Sequence, residues 1–115
     1  MSKERRERDY LGDILEAIQR IQEYTDGLSA GAYYADYKTQ DAVVRNLEVI
    51  GEAAKNIPES FRAEHLQVPW RDLTGVRDKL IHQYFGINQE IVWQIVQEDL
   101  PALSLQIERL LGEIG

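Results

Sequence analysis

Apolar residues recur through most of this chain at intervals of three and four residues, the spacing that places them on one face of a helix. The first such run predicts a helix over residues 3–25 that is stopped by Gly27. Residues 28–38 form a connector, with a short helix expected after Ser29. No segment shows the strict apolar–polar alternation that is typical of a strand, so we expect an all-α fold.

A second long helix follows this connector. Thr39 and Asp41 are the candidate caps for its first turn, and Pro58 stops it. Gly51 lies inside this helix, where a glycine costs about 1 kcal/mol relative to alanine. Together with Ala53 and Ala54, Gly51 permits another helix to cross the second helix closely.

The third part of the chain contains shorter elements. A short helix is predicted over residues 59–65, and Pro69 suits the start of a further helix over residues 70–85. Gly86 ends that helix. The short connections predict that neighbouring helices run antiparallel.

The last part of the chain carries a strong apolar stripe with a proline in it. Asn88 is a candidate cap for this stripe, and Asp99 with Pro101 predicts that the last helix restarts or kinks there. No repeat or linker divides the chain. We therefore expect one domain over residues 1–115, folded as an up-and-down bundle of about five helices.

Nine residues, 77–85, place polar side chains that are capable of chemistry among apolar ones. On one continuous helix with 100° between residues, a single arc would hold Leu73, Arg77, Leu80, Ile81, Tyr84 and Phe85. Arg77 would then lie within an apolar face, which favours a subunit interface or a lined cleft over a solvated surface. His82 lies at the edge of the arc, one turn after Asp78. A structural ion pair of Arg77 with a carboxylate is about equally compatible with this pattern.

The charge of the chain is uneven. Its net charge of −7 argues against a protein that coats nucleic acid by bulk electrostatics. The four basic and four acidic residues of 59–85 balance, whereas the flanking segments 9–58 and 86–115 are acidic. An anion is therefore expected to bind at a local site near residues 77–85. The chain has no cysteine, no long apolar run and no signal-peptide pattern, which together suggest a cytoplasmic protein without membrane contact.

The sequence contains no pattern that is typical of a metal site or a cofactor site. Its two histidines, His65 and His82, are far apart, and no phosphate-binding glycine loop is present. We therefore expect neither a metal site nor a cofactor, and His65 is interpreted as a surface or helix-end residue. Glu48 and Glu52 lie one turn apart and could form a carboxylate pair, but an exposed acidic face is the preferred interpretation.

Arginine and histidine together can cleave RNA without a metal. The reaction needs a group that takes the proton of a ribose 2′-hydroxyl, a group that protonates the leaving 5′-oxygen, and a donor that stabilises the charged phosphorane. Histidine can transfer the protons, and the planar guanidinium of Arg77 can bind the phosphate oxygens. A twofold dimer would bring two copies of Arg77 and His82 into one cleft, and Asp78 could hold the tautomer of His82.

The spacing Arg77, four residues, His82, one residue, Tyr84 resembles the R-x4-H-x-Y motif of HepT-like toxins in the HEPN superfamily. The likeness covers nearly the whole chain. Further segments that resemble the family are residues 8–15, 41–58, 69–71 and 91–101. The short motif alone is a weak signal, but it becomes a strong one in combination with these segments.

The resemblance implies an all-α, homodimeric, metal-independent endoribonuclease that acts on single-stranded RNA or tRNA. Such a protein is the toxin of a type VII toxin–antitoxin pair, and an MNT-type nucleotidyltransferase is its antitoxin. The resemblance assigns Arg77 and His82 as the catalytic pair and Tyr84 as the tyrosine to which the antitoxin attaches AMP. The family often has asparagine after the arginine and glycine before the tyrosine, where this chain has Asp78 and Gln83.

Two other functions remain compatible with the sequence. The chain could be a non-catalytic helical dimer that binds and regulates an MNT-type nucleotidyltransferase, which the acidic composition and Asp78 favour. It could also be the nucleotide-binding subunit of a two-part transferase. Toxicity of the chain expressed alone distinguishes the first alternative from a ribonuclease, and ATP binding without a partner would indicate the second.

Overall fold

The computed structural model describes residues 5–80 and 86–114, and these two ranges are largely helical and contain no β-strand. Their helices are α1 (Glu7–Thr25), α2 (Ala30–Tyr34), α3 (Tyr37–Asn56), α4 (Glu59–Glu64), α5 (Trp70–Thr74), α6 (Val76–Leu80), α7 (Gln89–Gln94) and α8 (Leu100–Ile114), with a π-helical turn, Ile95–Asp99, between α7 and α8. The all-α class is confirmed. The helices are shorter and more numerous than the five predicted.

Helices α1, α3 and α8 form the core of the bundle. Tyr10 near the start of α1 lines a cleft together with Ala53 and Asn56 at the end of α3, so these two helices run antiparallel. Their facing side chains are fully buried and include Leu11, Ile14, Ile18, Ile21, Val43, Leu47, Ile50, Ile107 and Leu110. Among the described helices, none is long and apolar enough to cross a membrane.

The first helix and its end follow the prediction closely. Helix α1 begins at Glu7, and the predicted first residues 3 and 4 lie outside the described residues. Gly27 follows the helix with a φ of 74°, a left-handed conformation that glycine adopts without steric cost. The short helix after Ser29 is confirmed as α2, and the Ser29 hydroxyl accepts a hydrogen bond from the Ala32 N–H at 3.1 Å.

Helix α3 begins earlier than predicted, and the assignment of Thr39 or Asp41 as its cap is wrong. The cap is Asp36, whose carboxylate accepts hydrogen bonds from the Thr39 N–H at 3.0 Å and the Thr39 hydroxyl at 2.6 Å. These bonds lower the pKa of Asp36. The side-chain N–H groups of the buried Gln40 donate hydrogen bonds to the carbonyls of Tyr33 and Tyr34 in α2. These bonds hold the start of α3 close to the end of α2.

The helix predicted over residues 70–85 is not one element. It is divided at Gly75 into α5 and α6, although the Gly75 N–H still donates to the Arg71 carbonyl at 3.0 Å, a bond with helical spacing. The part of the prediction that covers residues 81–85 lies outside the described residues. Gly86 follows with a φ of 83°, as suits the predicted stop at this position.

The close crossing predicted at Gly51 is confirmed. A Cβ atom at this position would lie 3.0 Å from Cγ1 of Val76 and 3.1 Å from the carbonyl oxygen of Leu73. Both neighbours belong to the α5–α6 segment. Glycine at position 51 therefore allows this segment to rest directly on α3.

The chain remains helical from α7 to α8, so the predicted restart with Asp99 as a cap is wrong. Asn88 does cap α7, and its side-chain oxygen accepts the N–H groups of Glu90 and Ile91 at 3.0 and 3.2 Å. The π-helical turn Ile95–Asp99 precedes Pro101. Proline lacks an N–H and its ring crowds the preceding turn, and the wider π-helical turn provides space for it.

Tyr33 joins α2 to the start of α7. Its ring is fully buried and stacks on Trp93 at 5.0 Å between centroids, and its hydroxyl donates to Oε1 of Gln89 at 2.6 Å. Burial raises the pKa of this phenol, with smaller contributions from Tyr34 and Asp41.

We expect Tyr33→Phe to lower the free energy of unfolding by about 1–2 kcal/mol, because it removes this hydrogen bond and leaves a partner unsatisfied. Urea unfolding at pH 7 measures the loss. Tyr37→Phe is the control, since Tyr37 is 75 % exposed and its loss of a hydroxyl should change nothing. The folded state holds the Tyr33 proton more tightly than the unfolded chain, so stability should decline above about pH 10, and less so in Tyr33→Phe. Equal stability of all three proteins would contradict the role of this bond.

Candidate functional site

Arg77 is an exposed residue of α6. Val76 and Leu80, four residues apart, are the buried side chains of this helix, whereas Arg77 is exposed. The expectation of an apolar face around Arg77 stays a prediction, because three of its members, Ile81, Tyr84 and Phe85, lie outside the described residues.

Arg77 lines a cleft of about 300 Å³ between α3 and α6. The charged residues of α3 in this cleft follow one another at helical spacing, and they are Arg45, Glu48, Glu52 and Lys55. Gly51 and Val76, the two residues of the close crossing, also line it. The crossing therefore brings Arg77 to the surface of α3.

Arg77 forms no ion pair within residues 5–80 and 86–114, where the two ion pairs are Arg5–Asp13 and Arg20–Glu16. The structural ion pair considered for Arg77 is thus not found among these residues. An unpaired guanidinium at the wall of a cleft presents its planar set of N–H donors to a ligand. The ligand for which this geometry is suited is an oxyanion such as a phosphate.

Glu48 and Glu52 do not form a purely acidic face, which corrects the preferred interpretation. They alternate with Arg45 and Lys55 along α3, and all four line the cleft that contains Arg77. Glu48 is half-buried and Glu52 is exposed. This arrangement limits the repulsion that the two carboxylates would exert on an anion bound beside Arg77.

The other predicted site residues are only partly described. Asp78 is exposed on α6, next to Arg77. His82 and Tyr84 lie outside the described residues. The catalytic pairing of Arg77 with His82, the support of His82 by Asp78 and the modification of Tyr84 therefore stay predictions.

Neither a metal site nor a cofactor is indicated by the described part of the chain. Within it, no three histidine, aspartate or glutamate side chains come together as metal ligands. His65 follows the last residue of α4, as expected of a helix-end histidine, and its ring lies 4.4 Å from that of Phe61.

The cleft on the opposite side of α6 differs from the Arg77 cleft in the polarity and charge of its lining. A cleft of about 350 Å³ between α6 and α8 has an apolar lining that includes Leu47, Ile50, Leu73, Ile95 and Leu103. The described charged residues around it are Asp72, Lys79, Glu98 and Asp99. Three carboxylates beside one ammonium do not suit an anion, so the α3 side of α6, with Arg77, is the side where an anion can bind.

Arg45 and Lys55 belong to the Arg77 cleft but were not identified from the sequence. Their spacing of ten residues, with acidic residues between them, resembles a solvated helix face. A signal was nevertheless present, because Gly51 predicted a close crossing in the middle of this segment. Only the packing of α6 against α3 brings Arg77 into one cleft with these two residues.

Comparison with known proteins identifies the family. The model of the HepT-like family, described as Ribonuclease HepT-like, matches residues 14–110. Similar proteins include the probable ribonuclease HepT of Thermococcus cleftensis, which is 48% identical over 92% of this chain and 96% of the relative, and a candidate RNase of Methanocaldococcus jannaschii, which is 48% identical over 93% of this chain and 88% of the relative. A candidate RNase of Caldanaerobacter subterraneus is 42% identical over 90% of this chain and 93% of the relative. No solved structure gave a significant match. With a family match over most of its length and relatives of this similarity, the chain belongs to the HepT-like ribonuclease family.

Proposed function

We propose that this protein is a metal-independent endoribonuclease that cleaves single-stranded RNA or tRNA as the toxin of a type VII toxin–antitoxin pair. Membership of the HepT-like ribonuclease family supports the reaction class. The observation that carries the proposal is the position of Arg77. This arginine is exposed, it lacks an ion pair among the described residues, and it shares a cleft with Arg45 and Lys55.

Arg77 binds the scissile phosphate in the proposed mechanism. The 2′-oxygen of the neighbouring ribose attacks phosphorus while the bond from phosphorus to the 5′-oxygen breaks, which gives a cyclic phosphate and a free 5′-hydroxyl. The guanidinium donates hydrogen bonds to the non-bridging oxygens, on which negative charge develops. Because the guanidinium keeps its charge at any physiological pH, this contact needs no proton transfer of its own.

His82 moves the protons in this mechanism. One imidazole accepts the proton of the 2′-hydroxyl, and an imidazolium donates a proton to the leaving 5′-oxygen. One chain supplies only one motif histidine, so we propose a homodimer in which two copies of Arg77 and His82 face one groove. Asp78 is proposed to orient His82 by accepting a hydrogen bond from its second ring nitrogen.

Inhibition is proposed to act through Tyr84. An MNT-type nucleotidyltransferase antitoxin transfers AMP from ATP to the Tyr84 hydroxyl: the phenol oxygen bonds to the α-phosphorus, its proton is lost, and pyrophosphate leaves. The adenylate adds a bulky group and a negative charge near Arg77, so that it occupies the groove and engages the guanidinium in place of RNA. This block is both steric and electrostatic.

Expression of the chain alone and with its genomic neighbour tests this proposal. We expect growth arrest from the chain alone and recovery when the neighbouring nucleotidyltransferase is present. Mass spectrometry should then find AMP on Tyr84. The matched control is Tyr84→Phe, which lacks the acceptor hydroxyl and should remain toxic in the presence of the neighbour.

The same experiment separates the toxin from the non-catalytic alternative. Harmless expression of the folded chain, together with stable binding to the nucleotidyltransferase, would contradict the toxin and support a regulatory dimer. The acidic composition, with a net charge of −7, and Asp78 are the observations that favour this alternative.

A further inference from the structure

A second cleft, of about 520 Å³, lies between α4 and α5 and contains two arginines, Arg62 and Arg71. Neither arginine forms an ion pair with any residue that the structure describes. The other charged residues of the cleft are Glu59 and Asp72, and the rest of its lining is mostly apolar. Two free guanidiniums in one open cleft are able to bind an anionic ligand.

Arg62 also carries a buried polar atom without a partner. Its Nε is inaccessible to solvent and finds no hydrogen-bond acceptor in the described part of the chain. Most buried donors in folded proteins are paired, because an unpaired one costs about 1–3 kcal/mol. Because this atom is shielded from solvent, a ligand in the cleft would be bound by the other nitrogens of the Arg62 guanidinium.

The walls of this second cleft are held in place by specific contacts. Trp70 is buried, and its ring N–H donates to the carbonyl of His65 at 2.9 Å, which ties the start of α5 to the end of α4. The amide of Gln106 on α8 donates to the carbonyl of Gln67 at 3.0 Å, which anchors the connection between α4 and α5. The two arginines are therefore attached to a fixed frame, which lowers the entropic cost of binding a ligand.

The second cleft is adjacent to the Arg77 cleft, because Thr74 lines both. Together the two clefts hold five basic and four acidic side chains, whereas the whole chain has 13 basic and 20 acidic residues. The basic residues along this path are Arg62, Arg71, Arg77, Lys55 and Arg45. This surface is thus less repulsive to a polyanion than the rest of the protein.

We propose that Arg62 and Arg71 bind phosphates of the RNA strand next to the scissile one and guide the strand toward Arg77. This inference rests on the proposed ribonuclease function, since the strand is the substrate of that reaction. Each guanidinium donates hydrogen bonds to one phosphate and releases its counterions. The contact is made to the backbone, so it adds affinity without reading the base sequence.

Binding of a fluorescent single-stranded RNA oligonucleotide by anisotropy, at several salt concentrations, tests the proposal. The measurement uses the full chain with His82→Ala so that the RNA stays intact. We expect the double variant with Arg62→Gln and Arg71→Gln to weaken RNA binding about tenfold at low salt. The magnitude of the slope of log K against log salt should fall by about 1.4, which is about 0.7 for each lost phosphate contact. The matched control is Arg109→Gln, an exposed arginine of α8 outside both clefts, which should change neither quantity.

Two further variants separate binding from folding. Arg71 is exposed, so the protein with Arg71→Gln alone is expected to fold normally even if Arg62→Gln unfolds it. This single variant should give about half of the change in the slope of log K against log salt. With His82 restored, the Arg71 variant should raise KM for RNA cleavage while kcat stays unchanged, because the phosphate contact is remote from the reacting bond.

The outcomes distinguish this inference from the function on which it rests. If the arginine variants bind RNA as Arg109→Gln does, while the chain with His82 cleaves RNA, the phosphate path is refuted and the ribonuclease stands. If the chain with His82 neither binds nor cleaves RNA, the proposed function fails and the phosphate path fails with it.

Discussion

Arg77→Ala is expected to lower the rate of RNA cleavage by at least about 100-fold, the typical effect of losing one donor that stabilises transition-state charge. The protein should stay folded, because Arg77 is exposed and substitutions of exposed residues usually change stability little. His82→Ala should lower the rate by about 10²–10⁴-fold, as expected for a proton-transfer group. Cleavage of a labelled RNA under single-turnover conditions measures both effects, and circular dichroism verifies the fold.

The matched control for Arg77 is Lys79→Ala. Lys79 lies two residues further along α6, is equally exposed and carries the same charge, but it lines the cleft on the other side of the helix. A lost positive charge alone would affect both variants similarly. Cleavage by Arg77→Ala at the rate of Lys79→Ala would refute the assignment of Arg77.

Gly51→Val is expected to lower the free energy of unfolding by about 1–3 kcal/mol, the usual cost of overfilling a packed contact. The first added carbon would already lie 3.0 Å from a Val76 methyl and 3.1 Å from the Leu73 carbonyl oxygen. The α5–α6 segment would have to move away from α3. Since α6 carries Arg77, cleavage of RNA should fall as well, and chemical denaturation together with the cleavage assay measures both losses.

Gly12→Val is the matched control for this substitution. Gly12 lies in α1, and a Cβ at this position meets no atom within 4 Å. Valine has a slightly better helix propensity than glycine, so this variant should be as stable as the original chain or slightly more stable. Equal destabilisation by both substitutions would show that the helix position, and not the crossing at Gly51, causes the effect.

The sequence predicted the parts of the fold that depend on local pattern. The period of Leu11, Ile14 and Ile18 indicated α1, and the stop at Gly27 was confirmed by its positive φ. The crossing at Gly51 was also predictable, because a glycine inside a long helix costs stability unless it allows a close contact. The helix and its stop are encoded within a few residues of where they occur, whereas the residues that cross at Gly51 were found only in the structure.

The sequence was insufficient where tertiary contacts decide between local options. Asp36, Thr39 and Asp41 are all acceptable caps for α3, and the contact of Gln40 with α2 is what selects Asp36. At the other end of the chain, Pro101 suggested a break, but the π-helical turn before it keeps the helix continuous.

The candidate site was predictable in its chemistry but only partly in its geometry. Arg77 was identified from its residue type and spacing, but its position in one cleft with Arg45 and Lys55 depends on how α6 packs against α3. Arg62 and Arg71 could not be associated with one another from the sequence. They share a cleft only because α4 and α5 pack against each other.

Cleavage by linked dimers tests the central claim, a groove shared by two protomers, most directly. Two copies of the chain are joined by a flexible linker, and one copy carries His82→Ala. If both histidines serve one groove, the linked dimer should cleave single-stranded RNA at far less than half the rate of the dimer with two unaltered copies. A rate of one half would mean that each protomer acts independently, and it would contradict the account.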